Sequence, residues 1–167
     1  MKNLKRIVCA ALALICCFGA IFVMSACDGE QTSTGGNWFY VEYKSIRIEL
    51  DKSADEVLAA LGEAKYTENL GDCGGIGVQT KYTYSDISVN TLKEQSGEKI
   101  HKISFLNDLV RTPEGIYIGA SEQAVRDAYG EPTSFDGSRL TYKRSDLKLE
   151  FKIKDAKVSA IDFIRVR

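Results

Sequence analysis

Apolar side chains follow three patterns along the chain. The first is a continuous run from Ile7 to Ala26, preceded by Lys2, Lys5 and Arg6. The second is alternation. FYVEY at Phe39 to Tyr43 and IRIEL at Ile46 to Leu50 read as two strands around the break Lys44-Ser45, and Ile87-Val89-Thr91 and Leu147-Leu149-Phe151 repeat every second residue. A period of two is that of half-buried strands. The third is helical spacing in two short segments, with Val57, Leu58 and Leu61 on one face of the first and Ala124, Val125, Ala128 and Tyr129 on one face of the second. Ser53 and Glu56 have the spacing of a capping box, and Gly62 supplies the positive-φ residue that ends the first helix; Ser121 and Gly130 do the same for the second, without the acidic partner. Each helix has only about two to three turns and must be held by packing.

These segments repeat. IELDKSADEVLAALGEA (Ile48 to Ala64) lies over IYIGASEQAVRDAYGEP (Ile116 to Pro132) without gaps, matching at Ile48/Ile116, Ser53/Ser121, Val57/Val125, Ala60/Ala128, Gly62/Gly130 and Glu63/Glu131. Further on, Thr83-Tyr84 answers Thr141-Tyr142, and KIHKISF (Lys99 to Phe105) answers KVSAIDF (Lys157 to Phe163), the first copy carrying a longer loop through Leu70 to Gly77. Ser96-Gly97-Glu98 and Lys154-Asp155 read as turns between strands, and Thr112-Pro113-Glu114-Gly115 as a turn between copies, with proline pre-set for its second position. The pattern predicts an α+β fold: two tandem repeats of one short helix plus three antiparallel strands, helices on one face of a shared antiparallel sheet. Copy 1 covers about 46–108 and copy 2 about 114–167 of a domain at 38–167. Units of about sixty residues have marginal cores, so the copies should share one interior. An antiparallel sheet with helices on one side leaves its other face free to bind.

The apolar run changes the picture of where this domain lives. Basic residues, then about 20 apolar residues, then small residues, is the layout of an export signal, although the same length also spans a bilayer as a permanent helix. Ser25-Ala26-Cys27 decides for the first, because it resembles the lipobox of bacterial lipoproteins, with Met24 in place of the usual leucine. The expected organisation is a signal peptide at 1–26, then a lipidated Cys27 (a diacylglyceryl thioether) and flexible tether at 27–37; DGEQTSTGG within it lacks any apolar residue. Basic residues on one side of the run place the remainder on the extracytoplasmic face of the cell membrane.

Charge and cysteine content narrow the chemistry. After Arg6 the chain carries 19 basic and 23 acidic side chains, a balance with no net attraction for a phosphate backbone, and nucleic acid is not an expected partner. Cys9, Cys16 and Cys17 lie in the signal. With Cys27 acylated, Cys73 has no partner and reads as a small residue in a tight loop, Asp72-Cys73-Gly74-Gly75, rather than as a reactive thiol. One histidine, His101, gives no basis for a zinc site, and Asp146, Asp155 and Asp162 lack the spacing of a calcium loop. The glycines of Gly71 to Gly77 lack the Lys-Ser/Thr of a phosphate loop, and no Gly-x-Ser-x-Gly elbow occurs. No catalytic, metal or cofactor residue is assigned. Binding chemistry falls to tyrosine, which combines contact area with a polar tip. Tyr82 and Tyr84 share one strand face and Tyr142 repeats Tyr84, making these three the candidate binding face; packing beneath the helices is the alternative.

These residues also resemble a family of small, largely uncharacterised Gram-positive lipoproteins with a tandem helix-plus-strands repeat. The resemblance rests on Cys73 with Gly74 and Gly77, Tyr82-Thr-Tyr84, Ile100 to Phe105, Thr112 to Gly119 and Ala128-Tyr-Gly130, and covers nearly all of the exported chain. It implies an architecture similar to beta-lactamase-inhibitor protein and to assembly lipoproteins of the SmpA/OmlA type, both of which act by binding proteins. The expected function is a membrane-anchored, non-enzymatic binding module for an envelope protein or a cell-wall polymer such as peptidoglycan. A cell-wall-active enzyme and a structural envelope lipoprotein without a fixed partner are the alternatives.

Overall fold

Two-residue turns organise the strands. The computed structural model describes residues 39–72, 75 and 77–166; the predicted signal, Cys27, the tether, Trp38 and Cys73 lie outside them. Strands β1 (Tyr40–Tyr43) and β2 (Ile46–Glu49) pair antiparallel as a separate hairpin, with Tyr43 opposite Ile46. Lys44 and Ser45 both take positive φ (52° and 63°), the conformation whose twist matches a two-residue hairpin. Asp155 and Ala156 do the same, at φ 52° and 58°, between β9 (Leu147–Lys154) and β10 (Lys157–Arg165).

The remaining strands form one eight-stranded antiparallel sheet. In chain order they are β3 (Tyr66–Asp72), β4 (Val78–Thr83), β5 (Ile87–Glu94), β6 (Gly97–Phe105), β7 (Ser134–Phe135), β8 (Arg139–Arg144), β9 and β10; in space they run β3-β4-β5-β6-β10-β9-β8-β7. The two helices among the described residues, α1 (Ala54–Leu61) and α2 (Glu122–Tyr129), have eight residues each.

The expected helix-plus-three-strand repeat is thereby corrected. The protein is mostly sheet, and four strands follow each helix rather than three. The extra strands are the two edges, and neither carries a hydrophobic period. In β3, YTENLGD, five of seven residues are exposed, and both residues of β7 are exposed. An edge strand that buries little apolar surface leaves no alternation to read. Thr112 to Gly115 does form the predicted turn, with the Gly115 N–H donating to the Thr112 carbonyl at 2.8 Å.

Both helices and the hairpin cover the same sheet face. Val41, Ile48, Ala54, Leu61, Val125 and Tyr129 pack in one buried cluster with Val89, Ile103, Phe163 and Leu149, which are cross-strand neighbours on β5, β6, β10 and β9. The halves are built alike at the hydrogen-bond level. Asp51 N–H donates to Ile100 O and Ile100 N–H to Lys52 O (both 2.9 Å); Gly119 N–H donates to Val158 O and Val158 N–H to Ala120 O (both 2.8 Å). These pairs tie the start of each helix to the last strand of its own half. The helix starts differ in one respect: the Ser121 hydroxyl accepts from Ala124 N–H at 3.1 Å, whereas Ser53 makes no side-chain cap.

Each helix ends on a glycine at φ 74°, with ψ −161° at Gly62 and −155° at Gly130, a region reached almost only by glycine. No atom lies within 4 Å of a Cβ built on Gly130, so Gly130→Ala isolates the backbone cost. It is expected to lower stability by about 1–3 kcal/mol in urea unfolding. Ala156→Gly, which relieves a β-carbon held at φ 58°, is expected to act in the opposite direction by about 0.5–1 kcal/mol.

Candidate functional site

Strand register sorts the sheet's side chains into two sets, and only one meets the helices and hairpin. On the other face the residues form rows across the strands. One row, from β4 to β8, is Lys81, Asn90, Lys102, Ile164, Lys148 and Lys143. The next, two residues along each strand, is Thr83, Ser88, Ser104, Asp162, Glu150 and Thr141. Beyond it, Lys152 and Arg139 stand opposite each other on β9 and β8. Leu92, near the end of β5, is buried against Gly77, whose Cβ would lie 3.3 Å from Leu92 Cδ1, so this corner of the face is closed.

Cations occupy the two acids of the middle row. Asp162 and Glu150 are cross-strand partners, 9% and 8% exposed, and two carboxylates so placed repel. Lys102 Nζ stands 3.2 Å from Asp162, Lys148 Nζ 3.1 Å from Glu150 and Arg139 3.8 Å from Glu150, while the Ser104 hydroxyl donates to Asp162 at 2.5 Å. The result is a lattice of ammonium groups beside a row of buried or half-buried hydroxyls and neutralised acids. Asp162 is thus mid-strand and paired, whereas Asp155 lies between β9 and β10 and Asp146 between β8 and β9.

The three tyrosines do not form an open face. Tyr84 and Tyr142 are 5% and 3% exposed and lie in the core, and Tyr82 is half-buried against it. Period two shows that Tyr82 and Tyr84 share a side, but not that this is the side the helices cover. The Tyr142 hydroxyl donates to Gly130 O at 3.0 Å, and that of Tyr84 to Gly62 O at 3.5 Å, so in each half a tyrosine holds the carbonyl of the residue that ends the helix. Tyr142 also stacks with Tyr129 (ring centroids 5.3 Å apart) and meets Phe151 edge-on at 6.0 Å. Tyr129 in turn donates to Glu114 in the turn between copies. The open-face lysines and serines were legible only as the polar members of alternating strands, which mark solvent exposure without indicating function.

A cavity of about 500 Å³ opens between the β1–β2 turn and residues 109–113, lined in part by Tyr40, Tyr43, Lys44, Asp86 and Arg111. Asp86 accepts from Tyr43 at 2.9 Å and from Asn107 at 2.8 Å, and these bonds, the one from Asn107 foremost, hold its carboxyl below the usual range. Both oxygens are engaged, and Asp86 acts as a strut between hairpin and linker. Among the described residues, no group of three or more His, Cys, Asp or Glu side chains is placed to hold a metal ion.

Burial pushes the Tyr142 phenol from 10.0 up to about 12 and raises Tyr129 further. A raised folded-state pKa contributes stability that is present below the unfolded value and lost as pH climbs through the folded one. Unfolding free energy is therefore expected to fall from pH 10 to about 12. Tyr142→Phe should flatten that decline while costing about 1 kcal/mol at neutral pH through the lost hydroxyl bond, both read by urea unfolding across pH.

No family model, no curated protein and no solved structure matches the chain.

Proposed function

We propose that this protein is an extracytoplasmic lipoprotein, anchored through Cys27, that works by binding rather than by catalysis and offers the helix-free face of its sheet to an envelope component. The observation that carries this reading is the division of labour between the two faces: one is committed to the core, and the other presents a row of lysines that crosses six of the eight strands. The N-terminal sequence supports the anchor, because the basic start, apolar run and Ser25-Ala26-Cys27 have the order of a lipoprotein signal. The two buried acids of this face, Asp162 and Glu150, are held in ion pairs with Lys102, Lys148 and Arg139, which commits them to structure. The sequence resemblance to small bacterial lipoproteins points the same way. The extracytoplasmic domain would then act a short tether away from the membrane, against material of the cell wall or a neighbouring envelope protein.

Two measurements test this. Cells grown with labelled palmitate should incorporate label into the wild type and lose it with Cys27→Ser, and the variant should leave the membrane fraction. In a Cys73→Ser background, a bulky maleimide on Lys152→Cys should abolish co-sedimentation of the detergent-solubilised protein with isolated envelope material. The same adduct on Glu56→Cys of α1 should not. Equal loss from both positions, or from neither, rejects the open face as the binding surface.

A further inference from the structure

The charge of the chain is not spread evenly over the two sides of the sheet. The helix side carries Asp55 and Glu56 in the first turn of α1, and Glu122 and Asp127 on α2, where Arg126 pairs with Glu122. The open face collects cations. Its rows hold Lys81, Lys102, Lys143, Lys148, Lys152 and Arg139, against Glu68, Glu150 and Asp162. A chain with more acids than bases thus presents a basic surface on the one side that no helix covers. Asp162 and Glu150 are taken up by Lys102, Lys148 and Arg139, whereas Lys81, Lys143 and Lys152 have no acidic partner within ion-pair distance among the described residues. These cations stand at separated points, two near opposite ends of one row and the third in the row beyond.

Geometry limits what fits. The row from Lys81 on β4 to Lys143 on β8 crosses five inter-strand steps, about 24 Å at ordinary strand spacing, and runs perpendicular to the strands. Its charges are mostly lysines, which attract as point charges; the planar fork that grips a single carboxylate or phosphate in two places belongs to arginine, and Arg139 is the one arginine of these rows. A surface that is long and lysine-studded matches a ligand whose negative charges recur along a chain. Tyr66, opposite Thr83 on the edge strand β3, is the large exposed aromatic side chain of this face among the described residues, and Ile164, the apolar member of the lysine row, is half-buried.

We propose that the open face is a docking surface for a linear polyanion of the phosphodiester type, laid across the strands along the Lys81–Lys102–Lys148–Lys143 row. This rests on the open-face reading above and adds the chemistry of the occupant. Long-range attraction brings the polymer in, and Lys81 and Lys143 hold it near either end.

The probe is synthetic poly(glycerol phosphate) coupled to beads, with neutral dextran beads and phosphatidylglycerol-containing vesicles as comparators, and the full-length protein in a neutral detergent. Binding to poly(glycerol phosphate) but not to dextran is expected, weakening steeply as salt rises, and Lys81→Glu with Lys143→Glu should weaken it by about tenfold or more. Both substitutions lie outside the ion pairs of the sheet; unchanged urea unfolding would show that the fold is intact, and Lys81→Arg with Lys143→Arg should restore binding. Charge reversal at Lys52 and Arg111, outside these rows, should leave binding unchanged. Equal binding to dextran, stronger retention on the vesicles than on the polymer, or indifference to Lys81→Glu and Lys143→Glu would overturn the proposal. Envelope co-sedimentation that survives while the polymer fails to bind would overturn the polyanion alone and leave the open-face reading standing.

Discussion

The structure depends on the seam between β6 and β10, where the last strand of one half pairs with the last strand of the other. Only three residue pairs define it: Asp162 with Ser104, Phe163 with Ile103 and Ile164 with Lys102. Each face of the sheet contributes a different bond. Beneath the helices, Phe105 and Phe163 pack with ring centroids 5.9 Å apart; on the open side, Asp162 takes the Ser104 hydroxyl and the Lys102 ammonium. At the end of β10, Arg165 reaches Glu94 at 2.8 Å, Asp51 at 2.7 Å and Asp146 at 3.6 Å, so one guanidinium holds both halves. Without this seam, each half would be a four-stranded sheet with one small helix, a core too slight to stand alone. With it, the hydrophobic cluster is continuous and the opposite face becomes a single surface.

That surface exists because covering elements are scarce. Two eight-residue helices and a four-plus-four-residue hairpin shield one side of eight strands, and among the described residues nothing comparable is left for the other. The open side therefore has to be soluble in its own right, and ammonium groups in register achieve this. Burying Glu150 and Asp162 side by side is tolerable because the ammonium groups of Lys148 and Lys102 pair with them.

Much of this was legible in the amino-acid order where local stereochemistry or periodicity is strong. The turn at Lys44-Ser45, the ends of both helices at Gly62 and Gly130, and the Pro113 turn all stand where short motifs placed them. The strands at the sheet centre were visible because they bury one side completely. What stayed hidden depends on contacts distant in sequence. The edge strands bury too little to have a period, Ser53 has the right neighbours for a cap but does not make one, and the tyrosines obey the two-residue repeat while pointing to the side that sequence could not label. The rows of the open face appear only once strand order is known, since Lys81 and Lys143 are 62 positions apart in sequence yet belong to one line across the sheet.

The two ends of the sheet are unequal, and this bears on how molecules meet. β3 offers a seven-residue edge, bulged between Asn69 and Gly71, whereas β7 is a two-residue stub. Growth of a fibre by backbone pairing needs an extendable border on both sides of every subunit. Here one border is long and the other is almost absent, so pairing through main-chain groups would stop when two long borders have met, giving a closed twofold pair. The shortness of β7 alone is thereby enough to prevent runaway sheet extension.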